Sequence, residues 1–216
     1  MQVLFMPIGQ SKTEAAFRYL ALGDSYTIGE SVPSADRFPS QLVGLLRSEG
    51  LAFSEPEFVA TTGWTTGDLI RAIRSYPFQS PYDLVTLLIG VNNQYQGRGL
   101  SEYARDFRTL LNQAIELAAR RPARVITLSI PDYAYTHFAS GSDITSISRM
   151  IDEFNMTNRE ITDELGCRYV SVTEESRMAR EDETMIAADG LHYSGKEYAI
   201  WAKKLMLLVQ SALRSN

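Results

Sequence analysis

Two short segments carry the residue types of a nucleophilic mechanism. Gly23-Asp24-Ser25 offers a hydroxyl, and Asp189-Gly190-Leu191-His192 offers a base with a carboxylate three residues before it. A serine hydroxyl attacks a carbonyl at neutral pH only when an adjacent base takes its proton. The chain has two histidines, and His192 is the better equipped of them. Asp189 can bond one ring nitrogen, fix the tautomer and leave the other nitrogen to shuttle the proton. A separation of three residues lets one turn place both side chains on the same side. A tetrahedral intermediate also needs donors for its oxyanion, and the backbone N–H groups of Ser25 and Gly63 with the side-chain amide of Asn92 are the candidates. Glycine at 63 allows a close backbone approach that a side chain would obstruct. Asp24 organises the turn and, with Trp64, Asn93 and Tyr95, is a candidate substrate contact. Tyr26 and Phe138 are candidates to line a pocket, whereas His137, which has no matched carboxylate, reads as loop or pocket wall.

These groups matter only if the fold brings them together. Five short apolar runs rich in β-branched residues recur at Arg18–Leu22, Glu57–Thr61, Asp83–Ile89, Arg124–Ile130 and Arg168–Val172. Their nearly continuous apolar character is that of parallel strands covered on both faces. Between them the spacing predicts helices over Phe38–Arg47, Leu69–Tyr76 and Leu100–Arg120. Two more are predicted from about Thr145 to Leu165, ending at Gly166, and over Ser194–Leu213. Alternating strands and helices imply right-handed βαβ units and a three-layer α/β/α sandwich around a parallel sheet of about five strands. In such sheets ligands bind beyond the carboxyl ends of the strands. The segments that follow the runs there are Gly23-Asp24-Ser25, Thr62-Gly63-Trp64-Thr65, Gly90-Val91-Asn92-Asn93 and, after a further stretch, Asp189–His192.

Composition narrows the function classes. A chain of 216 residues with 44% hydrophobic and 22% charged residues suits one soluble domain spanning 1–216, with room for residues 1–17 to form an N-terminal extension. The net charge of −5 and the lack of a basic stripe argue against nucleic acid as a partner. No stretch approaches the ~20 apolar residues that span a bilayer, so no stable membrane insertion is expected. Met1–Ile8 is apolar but has no basic region before it, and the expectation is a cytoplasmic protein. Cys167 is the single cysteine, which excludes an intrachain disulfide and reads as a buried structural thiol. No His/Cys cluster has zinc spacing, and no metal or other cofactor is expected. The Gly190–Lys196 stretch imitates a phosphate-binding loop, but Glu197 stands where Ser or Thr must reach Mg²⁺. Gly-Asp-Ser-Tyr-Thr is also unlike the Gly-x-Ser-x-Gly nucleophile elbow.

Taken in order, the four segments resemble the sequence blocks of the SGNH (GDSL-type) hydrolases, a family of serine esterases and lipases with a flavodoxin-like sandwich. Leu22-Gly23-Asp24-Ser25 matches the nucleophile block, with Tyr26 in place of the leucine in the family's name. Gly63 with Trp64-Thr65 matches the glycine block, Gly90-Val91-Asn92 the Gly-x-Asn-Asp block, and Asp189–His192 the closing Asp-x-x-His block. The third block usually ends in Asp, where this chain has Asn93. That residue generally positions others, so altered hydrogen bonding is expected there rather than loss of activity. The resemblance implies Ser25 as nucleophile, His192 as base, Asp189 as its orienting acid, and Ser25, Gly63 and Asn92 as the oxyanion hole. The substrate expected is a small-molecule carboxylic ester, with O-acetyl sugars, short-chain esters, thioesters and lysophospholipids all open. Two rivals stand beside it: a flavodoxin-like domain holding a cofactor or phosphate at the same sheet edge, and a catalytically inactive domain of that fold binding carbohydrate or another small ligand.

Overall fold

The computed structural model describes residues 16–79 and 81–214. Its elements follow in chain order as β1 (Tyr19–Gly23), α1 (Ser25–Ile28), α2 (Phe38–Ser48), β2 (Glu57–Ala60), α3 (Thr66–Ser75), β3 (Leu84–Leu88) and α4 (Val91–Tyr95). The chain continues with α5 (Leu100–Leu117), β4 (Val125–Leu128), α6 (Ile144–Glu164), β5 (Arg168–Val170), α7 (Thr173–Arg177) and α8 (Gly195–Arg214). All five expected strands are present, each trimmed or shifted by one or two residues. The sheet is wholly parallel, in the order β2-β1-β3-β4-β5, which is the flavodoxin-like order.

The central strands are largely apolar because both faces are covered, whereas the edge strands β2 and β5 are only partly buried and carry Glu57 and Arg168. All five residues of β1 and all five of β3 are buried. α2 and α8 pack together on one face, and α3, α5 and α6 on the other. α5 shows how periodicity chooses the buried side: Tyr103, Phe107, Leu110, Leu111 and Ala114 are enclosed at the i, i+3, i+4 and i+7 spacings of one helical stripe. α8 buries Tyr198, Trp201, Leu205 and Val209 in the same way. Cys167 is buried and free, its thiol pushed up to about 12 by desolvation.

Two expectations need correction. α3 starts at Thr66, three residues before the expected Leu69. Thr65 and Asp68 form a reciprocal capping box, so the first turn is already helical at Gly67 and Asp68. At the N-terminus, Phe17 belongs to the fold rather than to an extension. Its N–H donates to Ala52 O at 2.7 Å, and its carbonyl accepts from Ser54 N at 2.9 Å. The expectations for Met1–Ile8, and for the rest of the extension up to residue 15, lie outside the described residues.

Register sets the functional edge. Gly23 is level with Ala60 of β2 and Leu88 of β3. The loops beginning at Asp24, Thr61 and Ile89 therefore leave the sheet side by side. The order also reverses direction between β1 and β3, the switch point where doubly wound sheets open a crevice.

Candidate active site

Ser25 stands at the first position of α1. The cap of that short helix is supplied by Asp24, whose Oδ1 accepts from Tyr26 N at 3.1 Å. The Ser25 hydroxyl is thus not consumed in capping, and its backbone N–H belongs to the first-turn donors that a helix leaves without an internal partner. Asp24 itself is fully enclosed, and its Oδ2 has no hydrogen-bond partner. Burial pushes this carboxyl up to about 7, against the opposing bond from Tyr26 N.

On the loop before α8, Asp189 folds the backbone around its own carboxylate. Oδ1 accepts from Leu191 N at 3.0 Å and from His192 N at 2.9 Å, while Oδ2 meets His192 Nδ1 at 2.6 Å. Burial pushes the Asp189 carboxyl up. The hydrogen bonds from Ser31, the His192 ring and the two backbone N–H groups outweigh that and hold it well below the usual carboxylate range. An ionised Asp189 places the imidazole proton on Nδ1 and leaves Nε2 as the acceptor. The His192 ring is almost enclosed and sits edge-on to Tyr26, with centroids 5.6 Å apart.

Ser25 and His192 line one cavity of about 100 Å³, together with Tyr26, Val91, Asn92, Tyr95, Tyr133, Phe138 and Leu191. Asn92 donates from Nδ2 to Trp64 O at 3.0 Å. That bond ties the start of α4 to the loop after β2 and orients the amide at the cavity wall. Three aromatic rings form the rim: Tyr95 lies 6.0 Å from Tyr133 and 5.8 Å from Phe138, centroid to centroid. Tyr95 and Phe138 are exposed.

The remaining expected site residues lie elsewhere. Gly63 has φ 81 and lies outside the cavity lining; a Cβ there meets nothing within 4 Å. Its left-handed backbone, rather than crowding, is what calls for glycine. The Trp64 ring is half-buried against the core, away from the cavity. Asn93 is completely buried, with Oδ1 accepting from Thr66 N at 2.9 Å and Nδ2 donating to Thr66 Oγ1 at 2.8 Å. With both ends of its amide held by the start of α3, Asn93 is a structural clamp, and enclosure likewise removes Asp24 from contact with a substrate. His137 is exposed on the loop after β4, its Cβ placed against Gly190.

Sequence reasoning missed Tyr133, Leu191 and Ser31. Tyr133 was findable, since it follows β4 at the same sheet edge. Ser31 had no signal, because it meets Asp189 across 158 residues. Among the described residues no group of three or more His, Cys, Asp or Glu side chains is placed to hold a metal ion, and no helix is long and apolar enough to cross a membrane.

A profile of the GDSL-like lipase/acylhydrolase family matches residues 21–200. The chain belongs to this family. Its members are carboxylic ester hydrolases, and the chain is an enzyme of that class. Solved structures share the architecture of this GDSL-like hydrolase at low identity. A lipase/acylhydrolase from Enterococcus faecalis is 16% identical with a TM-score of 0.70, covering 92% of this chain and 96% of its own. An acetylxylan esterase from Geobacillus stearothermophilus is 19% identical with a TM-score of 0.69, covering 95% and 100%. A psychrotrophic esterase from Pseudoalteromonas sp. is 14% identical with a TM-score of 0.69, covering 92% and 99%. At these identities the likeness is one of fold. No curated relative matches the sequence.

Proposed function

We propose that this GDSL-like hydrolase is a serine esterase that cleaves short-chain acyl esters through an acyl-serine intermediate. The supporting observation is the one cavity lined by both Ser25 and His192, with ionised Asp189 on the far nitrogen of the ring. In this reading Nε2 of His192 takes the Ser25 proton as the hydroxyl oxygen attacks the ester carbonyl, then returns it to the departing alcohol. Water, deprotonated by the same nitrogen, releases the acyl group from Ser25. Asn92, whose amide has a second N–H beyond the one held by Trp64, joins the backbone N–H of Ser25 as a donor to the oxyanion; Gly63, expected as a third donor, lies outside the cavity lining.

Cavity size supports a short acyl group. About 100 Å³ is well below the roughly 300–1,000 Å³ of pockets that enclose drug-sized ligands. It suits an acetyl or similarly short chain, with the alcohol left toward the aromatic rim.

The test is hydrolysis of p-nitrophenyl acetate by the wild type and Ser25→Ala, both checked by circular dichroism. The expected loss is roughly 10³–10⁶-fold, as for removal of a triad nucleophile. Activity surviving in the variant would remove Ser25 from the mechanism. Equal inertness of both proteins on a panel of short esters would favour a binding domain without turnover.

A further inference from the structure

Ser31 occupies an unusual backbone position. It is the third residue of a turn closed by Val32 N–H donating to Gly29 O at 3.2 Å. Its φ is 64°, one of three positive values at non-glycine residues among those described. The other two, Ala119 and Arg120, lie just past the end of α5, where helices commonly terminate in that conformation. A turn with positive φ at its third residue favours Gly or Asn, so serine here is held at a disadvantage. Such disadvantages persist where the surroundings over-determine them.

The surroundings are the acid of the site. The Ser31 hydroxyl donates to Asp189 Oδ2 at 2.5 Å, the oxygen that also meets His192 Nδ1 at 2.6 Å. The two backbone donors within the 189–192 turn both go to Oδ1. They fix where the carboxylate sits but leave its rotation about the Cβ–Cγ bond governed by what holds Oδ2. Asp189 is also open to water, its side chain 31% exposed, so a displaced carboxylate has solvent to turn toward. The neighbouring Glu30 accepts from Thr62 Oγ1, next to Gly63. One turn therefore reaches both the acid and the glycine loop, although Ser31 does not line the cavity.

We infer that Ser31 is a positioning residue, the fourth member of a Ser25–His192–Asp189–Ser31 chain, that holds the Asp189 carboxylate in the plane where it can orient His192. The inference rests on the serine-esterase reading above. It assigns Ser31 an effect on turnover and none on substrate capture.

The experiment compares Ser31→Gly and Ser31→Ala in the full chain, alone and combined with Asp189→Ala, using short-chain p-nitrophenyl esters. Both single variants lack the hydroxyl, but glycine also relieves the backbone strain. Loss of one charge-assisted, orienting hydrogen bond predicts a fall of roughly tenfold in kcat for both, with KM unchanged within about twofold. Ser31→Gly should be more stable to urea than Ser31→Ala, which lacks the hydroxyl equally but keeps a side chain at positive φ. In the Asp189→Ala background either change should alter kcat less than about twofold, since residues acting as a unit are not additive. Full activity in Ser31→Gly, or an undiminished tenfold loss without Asp189, overturns the inference. Ser25→Ala measured alongside separates the cases: if it stays active the esterase reading fails, and if it is dead while Ser31→Gly is fully active, only the role of Ser31 fails.

Discussion

Asp24→Asn exposes the energetic burden of a carboxyl sealed beneath the proposed nucleophile. Asp24 is wholly buried, one of its oxygens has no partner, and burial pushes its carboxyl up to about 7. In the unfolded chain the same group titrates near the ordinary ~3.9. Between those values the folded state holds a proton that the unfolded state has lost, so stability falls as pH rises, by about 1.4 kcal/mol for each pH unit. About three pH units make roughly 4 kcal/mol, fully present below pH ~4 and gone above pH ~7. Asparagine keeps the oxygen that caps α1 and cannot ionise. The stability of the wild type relative to Asp24→Asn should therefore fall by about 4 kcal/mol from pH ~4 to pH ~8. Glu197, also buried and pushed up to about 7 despite its bond from Trp201 Nε1, acts equally in both proteins and cancels in the difference. Urea unfolding followed by circular dichroism at several pH values measures it. A difference constant within about 1 kcal/mol across that range would show that Asp24 ionises in the fold as an ordinary carboxylate, and the reasoning would fail.

Two further outcomes follow from the site's supports. Asn92→Ala removes the proposed side-chain oxyanion donor and the bond to Trp64 O; kcat should fall by about 10²–10³-fold with the far-ultraviolet spectrum unchanged, and a fall below about fivefold would exclude that role. Gly90→Ala places a Cβ 2.6 Å from Tyr103 Cε2 and 2.7 Å from Ile130 Cδ1 at φ 134°. Strain and overpacking predict a loss of about 2–4 kcal/mol, or roughly 5–15 °C in melting temperature, measurable by thermal denaturation.

The sheet was legible because strands buried on both faces leave nearly continuous apolar runs, and β1 and β3 are such runs. Their ends were less so. Arg124–Ile130 shrinks to Val125–Leu128 because Arg124 ends a short 3-10 turn and, past Ser129, whose N–H still donates to Val170 O at 3.0 Å, the chain turns to a side-chain network. Ser129 Oγ accepts from Val172 N at 2.8 Å, and Ile130 N donates to Asn155 Oδ1 at 2.7 Å. The segments at the sheet edge could be read because parallel strands deliver their loops to one side by rule. Which of those residues face the cavity could not. Asn93 and Asn92 are adjacent, yet one is sealed on Thr66 and the other lines the cavity. The roughly 100° between neighbouring residues of α4 separates those fates, and only the packed helix decides it. Ser31 lay further out of reach, because its role arises from a contact between distant parts of the chain and from a backbone angle.

That distance has a consequence in time. The hydroxyl of Ser31 and the carboxylate it holds are separated by 158 residues, and Ser25 lies on the same early side of the gap. At the usual pace of synthesis, about 5–20 residues per second, a growing chain carries Ser25 for roughly 10–30 s before any base for it exists. Throughout that interval the Ser25 hydroxyl has no His192 to take its proton. The proposed chemistry begins only when the segment leading into α8 joins it, so on this reading arrival of Asp189–His192 is itself the activating event.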